Sequence, residues 1–211
     1  MKVKSISKRI SAVLLCLVLV TSLLSAGALA ADPGISYIDA DGKPQTRDSA
    51  TAVTESVTEW GASDSGEHWY VVTADTPITI DSLVTVKGNV QLILADGCTL
   101  NAAKGINVTG DNSLTIYAQS TGADMGALTA TGANSQAGIG GGNYGAGGKI
   151  TINGGAVTAN GGGNGAGIGG GFYSAGGTIT INGGAVTANG GSNAAGIGGG
   201  GSRGAGGNIT I

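Results

Sequence analysis

Four side chains interrupt an otherwise repetitive text. Between recurring copies of Ala-Gly-Ile-Gly-Gly-Gly and Ala-Gly-Gly stand Asn143-Tyr144-Gly145, then Phe172-Tyr173-Ser174, then Gly201-Ser202-Arg203-Gly204. The third copy is one residue longer. Variation confined to one loop of a repeat is how a repetitive scaffold carries a binding face. Aromatic rings are large, apolar and flat, and such faces stack on sugar rings. Tyr144, Phe172, Tyr173 and Arg203 are therefore the candidate ligand-binding residues, with a glycan as the expected ligand. The competing reading is that these side chains only cover glycine backbone at a corner.

Other chemistry is sought and not found. A dinucleotide loop needs Gly-x-Gly-x-x-Gly between a strand and a helix, with an acid about 20 residues on. This glycine array has no helix beside it and no acid after it. A phosphate loop ends in Gly-Lys-Ser/Thr, and Gly148-Lys149-Ile150 lacks the hydroxyl. Calcium-binding nonapeptides need an Asp in every turn, which the array lacks. Asp96, Asp111 and Asp124 could supply acids to a lyase-like surface, but each also fits a turn. His68 is the single histidine and has no recurring partner, so a structural role is expected. No catalytic residue, metal ligand or cofactor is expected.

The elements that position the loop are short and periodic. Ala137–Gly142 recurs at 166–171 and at 195–200, a spacing of 29 each time, and Ile150–Asn160 recurs word for word as Ile179–Asn189. A fixed period of this size means stacked supersecondary units. The β-runs span three to five residues and are rich in Val, Ile and Thr. Helix is disfavoured, because 33 glycines fall within the last 87 residues and each costs about 1 kcal/mol relative to alanine.

The prediction is an all-β, single-stranded parallel, right-handed β-helix with about 29 residues per coil in its C-terminal part. In it Ile150, Ile179 and Ile209 form one inward ladder. Ile152 with Ile181 and Ile211, Val157 with Val186, and Ile139 with Ile168 and Ile197 form others. Asn153 with Asn182 and Asn160 with Asn189 stack at corners. The competing local signal is Asn153-Gly154, a strong type I′ turn that would give antiparallel hairpins instead. Worn copies extend backwards. Leu114-Thr-Ile116 matches Ile150-Thr-Ile152, with a longer corner over Tyr117–Met125, and Ile78–Val86 reads as an older copy of the same unit.

Compartment follows from the first thirty residues. Lys2, Lys4, Lys8 and Arg9 precede an apolar run from Ile10 to Leu24, and Ala28-Leu-Ala30 is a small-x-small site. That pattern is a secretory signal peptide, too short in its apolar run for a comfortable membrane span. Its removal leaves six basic residues against thirteen acids, a net charge of −7, which argues against nucleic acid. All thirteen acids lie at or before Asp124. Cys98 is then the one cysteine and cannot form an internal disulfide. The domain reading is 1–30 signal peptide, 31–66 flexible polar lead-in and 67–211 β-helix. Ile211 is expected to be followed by further repeats or further domains.

The leader, then Leu92-Ile-Leu-Ala-Asp-Gly-Cys-Thr-Leu100 and Leu114-Thr-Ile-Tyr-Ala-Gln119, then the Ala-Gly-Ile-Gly-Gly-Gly arrays resemble a known group. Over residues 67–211 the chain is similar to glycine-rich, right-handed β-helix proteins, often labelled carbohydrate-binding, from Gram-positive anaerobic bacteria. The resemblance implies a secreted or cell-wall-associated protein that meets extracellular polysaccharide or cell-wall glycan. It transfers no site residue. The expected function is a non-catalytic adhesion or polysaccharide-binding scaffold. A polysaccharide-acting β-helix enzyme and a pure spacer are the alternatives.

Overall fold

Short alternating words such as Ile150-Thr-Ile152 send every second side chain to the same side of a strand. One face can then bury branched apolar groups while threonine meets solvent. The computed structural model describes residues 34–73 and 76–211, and every element in them is a strand. The expected leader over 1–30 lies outside the described residues.

A hairpin comes first, β1 (Ile35–Ile38) and β2 (Pro44–Arg47), followed by β3 (Thr51–Ala52) and β4 (Glu59–Gly61). Five turns of solenoid follow. They are β5 (Glu67–Val72), β6 (Ile78–Ile80) and β7 (Val84–Lys87); β8 (Asn89–Leu94), β9 (Thr99–Ala102) and β10 (Ile106–Asn107); and β11 (Ser113–Ala118), β12 (Ala127–Thr131) and β13 (Ile139–Gly140). Then come β14 (Lys149–Ile152), β15 (Ala156–Asn160) and β16 (Ile168–Gly169); and β17 (Thr178–Ile181), β18 (Ala185–Asn189) and β19 (Ile197–Gly198). β20 (Asn208–Thr210) begins the next turn.

These strands line up as three parallel sheets, so the fold is a parallel β-helix. The first face is β3-β5-β8-β11-β14-β17-β20, the second β6-β9-β12-β15-β18 and the third β4-β7-β10-β13-β16-β19. On the first face Glu67 pairs with Asn89, then Ser113, Lys149, Thr178 and Asn208. The successive coils are therefore 22, 24, 36, 29 and 30 residues long. The Asn-Gly corners do not reverse the chain. Ile150 lies over Ile179 and Ile179 over Ile209, in parallel register. The one antiparallel pair among the described residues is β1–β2.

The core is a column of apolar ladders. Val90, Leu114, Ile150 and Ile179 are each fully buried on the first face, as are Leu100, Leu128 and Val157 on the second and Ile106, Ile139 and Ile168 on the third. Each such side chain contributes about 1.5–3 kcal/mol by leaving water. Trp60, also fully buried, closes the N-terminal end and stacks on Tyr70 at 5.9 Å. The corner amides behave as expected. Asn182 Nδ2 donates to Asn153 Oδ1 at 2.8 Å, and Asn189 Nδ2 to Asn160 Oδ1 at 2.9 Å. On the third face Gly140, Gly169 and Gly198 hold φ between +131° and +136°. A Cβ on Gly140 would stand 2.0 Å from the carbonyl oxygen of Gly169, so only glycine permits this coil spacing.

Three expectations need correction. Residues 34–66, polar enough to read as a flexible lead-in, carry β1 to β4, and the sheets begin at β3. Ile78–Ile80 is not a counterpart of Ile150–Ile152. It pairs with Leu100–Ala102 and so belongs to the second face, because β5 already supplies the first-face strand of that coil. The long corner starts later than Tyr117, since β11 continues through Ala118, which pairs with Leu94. A three-residue β-word has the same composition on any face, and register is decided by its neighbours in space.

Candidate functional site

The loops that break the repeat all fall on one edge, where the third face turns into the first. Each loop contains a tight turn. Gly145 N donates to Gly142 O at 2.8 Å, Ser174 N to Gly171 O at 3.0 Å, and Gly204 N to Gly200 O at 3.2 Å. The turns are tied to one another across coils, with Gly171 N on Gly145 O at 3.0 Å and Gly200 N on Ser174 O at 3.0 Å. Loop residues 29 apart are therefore held one above the other.

In each turn one residue has a left-handed backbone. Tyr144 and Tyr173 both sit at φ +59°, and Ser202 follows at +74°. Glycine or asparagine adopts this conformation readily, whereas a bulky side chain there is a genuine outlier. The backbone conformation points the two tyrosines away from the solenoid. Tyr144 is 66% and Tyr173 53% exposed, the largest exposures of any aromatic side chain among the described residues. Their rings are parallel within 9° at 6.2 Å. Phe172 lies half-buried against both, at 5.5 Å from Tyr144 and 4.1 Å from Tyr173.

The structure thus brings Tyr144, Phe172 and Tyr173 into one aromatic strip along the axis. Arg203 stands in the next loop of the same edge, exposed and beside Ser202 rather than in the stack. Among the described residues the ion pairs are Lys87–Glu59 and His68–Asp64. Neither involves Arg203 or Lys149. Residues 108–112 form the same edge one coil before Tyr144, and Asp111 is exposed there. In axial order the edge presents Asp111, Tyr144, Phe172 with Tyr173, and Arg203.

Residues 150–172 and 179–201 match a family model described as Beta helix repeat. The two matched segments span the strands of the fourth and fifth coils and stop at Phe172 and at Gly201, the first residues of their variable loops. No curated protein and no solved structure matches the chain.

The acids weighed for catalysis do not converge. Asp96 Oδ1 accepts from Ser120 Oγ at 2.9 Å, on the corner between the first and second faces. The carbonyl of Asp124 accepts from Gly97 N at 2.7 Å on that same corner, while Asp111 lies on the aromatic edge. Among the described residues no group of three His, Cys, Asp or Glu side chains could hold a metal ion. His68 Nε2 meets Asp64 Oδ1 at 2.9 Å, a pair four residues apart in sequence. Cys98 is buried, and that burial pushes its thiol pKa up.

A second aromatic cluster escaped the sequence reading. Trp69 and Tyr117 point outward from the first face and stack at 5.5 Å, and Tyr37 of the hairpin covers both, at 5.2 and 4.8 Å. Arg47 lies 4.8 Å over the Trp69 ring. Tyr117 Oη donates to Gln91 Oε1 at 3.0 Å, and burial, above all, pushes the phenol up to about 12. Two signals could have found it. Trp69, Ile93 and Tyr117 occupy outward positions of alternating strands, which need a cover. Asp41-Gly42 between Ile35–Ile38 and Pro44–Arg47 is a hairpin turn.

Proposed function

We propose that this chain is a non-catalytic β-solenoid scaffold that binds polysaccharide outside the cell through the Tyr144–Phe172–Tyr173 strip. The observation that carries the reading is the pair of exposed tyrosines at φ +59°. A non-glycine residue in this region costs about 1–3 kcal/mol. The chain has 43 glycines and places tyrosine, twice, where glycine would cost nothing. The ring contacts with Phe172 repay only part of that cost, because both tyrosines stay more than half exposed. Strain retained at an exposed aromatic is the pattern expected of a ligand contact.

The setting supports the same reading. Rungs about 4.8 Å apart repeat the ring positions along the axis, so one extended polymer can run along the edge and meet several contacts. From Met125 onward there is no Asp or Glu, which leaves the edge free of the paired carboxylates that glycoside hydrolysis requires. The basic and apolar start of the chain supports a secreted or cell-surface location. Adhesion to cell-wall glycan follows from the same contacts.

The test is retention on immobilised polysaccharides. Tyr144→Ala together with Tyr173→Ala abolishes retention, while the thermal transition moves by only a few degrees. Unchanged retention removes the proposal.

A further inference from the structure

We infer that the Arg203 end of the aromatic edge selects an acidic sugar ring, so that the polymer bound is an anionic polysaccharide containing uronate units. This rests on the glycan reading above and deepens it.

The stack ends asymmetrically. Tyr173 has the Tyr144 ring parallel to it on one side. On the other side the equivalent position is Ser202, which keeps the left-handed turn at φ +74° but carries no ring. The loop position that follows Tyr173 along the axis therefore supplies a serine instead of a third aromatic. Tyr173 N donates to Gly201 O at 3.1 Å, which fixes that loop directly beside the tyrosine. The loop is also the one lengthened by a residue, and the residue following Ser202 is Arg203, exposed and in no ion pair with the described residues. A flat ring can lie on Tyr173 with its edge substituent reaching the guanidinium. A pyranose carrying a carboxylate has both parts: an apolar ring face for the phenol and two oxygens for the planar fork of arginine.

The local charge favours this although the chain as a whole is acidic. All thirteen acids lie at or before Asp124, and Lys149 and Arg203 are the only charges after it. Among the described residues the nearest acid along this edge is Asp111, three coils from Arg203. Three rungs of about 4.8 Å make about 14 Å, beyond the roughly 8 Å over which charges act at physiological ionic strength. Asp111 therefore leaves the arginine's field intact, and it disfavours the acidic group at the opposite end.

The experiment titrates the full chain, and Arg203→Gln, Lys149→Gln and Tyr173→Ala variants, with polygalacturonate and with a neutral galactan. The wild type binds polygalacturonate more tightly, and added salt narrows the gap. Arg203→Gln loses about tenfold toward polygalacturonate, the size of one charge-assisted contact, and nothing toward galactan. Lys149→Gln keeps the preference, and Tyr173→Ala loses both polymers. Equal binding of the two polymers by the wild type, or equal losses from Arg203→Gln and Lys149→Gln, overturns the acid selection and leaves glycan binding in place. Binding of neither polymer by the wild type overturns both.

Discussion

The chain contains two aromatic triads of similar chemistry and opposite fate. Tyr37, Trp69 and Tyr117 are packed under a hairpin, with Trp69 only 9% exposed, and none of the three has a positive φ. Tyr144, Phe172 and Tyr173 stand at the edge, with two rings more than half exposed on strained backbone. The first triad returns its cost as buried area and as a hydrogen bond from Tyr117. The second spends conformational energy and recovers little of it within the fold. The difference separates packing from recognition: burial explains an aromatic cluster fully only where the backbone beneath it is relaxed.

Trp69→Ala gives the largest expected effect. It removes the floor of the covered triad and costs about 3 kcal/mol, seen as a lower denaturation midpoint, while polysaccharide retention per folded molecule stays unchanged. A loss of retention at full folding would erase the distinction between the triads.

Tyr117→Phe comes next. It leaves the oxygen of buried Gln91 without the phenol donor and costs about 1–3 kcal/mol. The same residue sets a pH dependence. Its folded pKa of about 12 lies above the ordinary 10.0, so the folded state favours the neutral phenol. Its contribution is complete below pH 10 and is lost as pH rises from 10 through about 12. Stability measured across that window falls in the wild type and falls less in Tyr117→Phe.

Asn182→Ala breaks one rung of the corner amide ladder. It lowers stability by about 1 kcal/mol in chemical denaturation and leaves retention intact.

The smallest effect is the most discriminating. Tyr144→Ala keeps the strained backbone and loses the ring. Tyr144→Asn loses the ring but suits the left-handed conformation. The Asn variant is therefore more stable than the Ala variant by up to about 1 kcal/mol, and both lose retention. Equal stabilities would remove strain as the mark of the exposed triad.

Much of the candidate site was legible because it is written as an exception to a repeat. Tyr144 and Tyr173 occupy the same place in successive copies, and stacking at a fixed period puts equal places in contact. Their left-handed backbone was not legible, since nothing in Asn143-Tyr144-Gly145 distinguishes a tyrosine at that turn position from a glycine doing the work beside it. The hairpin was hidden by composition. Residues 34–48 are polar overall, and Ile35 and Tyr37 have a reason to order only when Trp69 and Tyr117 lie beneath them.

Sequence by itself determined the period, the inward ladders of Ile150, Val157 and Ile139, and the corner amides. In a solenoid each of these interactions joins a residue to its own counterpart one coil away, so the repeat spells out the contacts. Tertiary structure alone decided that Ile78–Ile80 lies on the second face, that the hairpin covers Trp69 and Tyr117, and that the two tyrosines project from strained turns. Those outcomes depend on unlike residues far apart in sequence, whose contacts no period records.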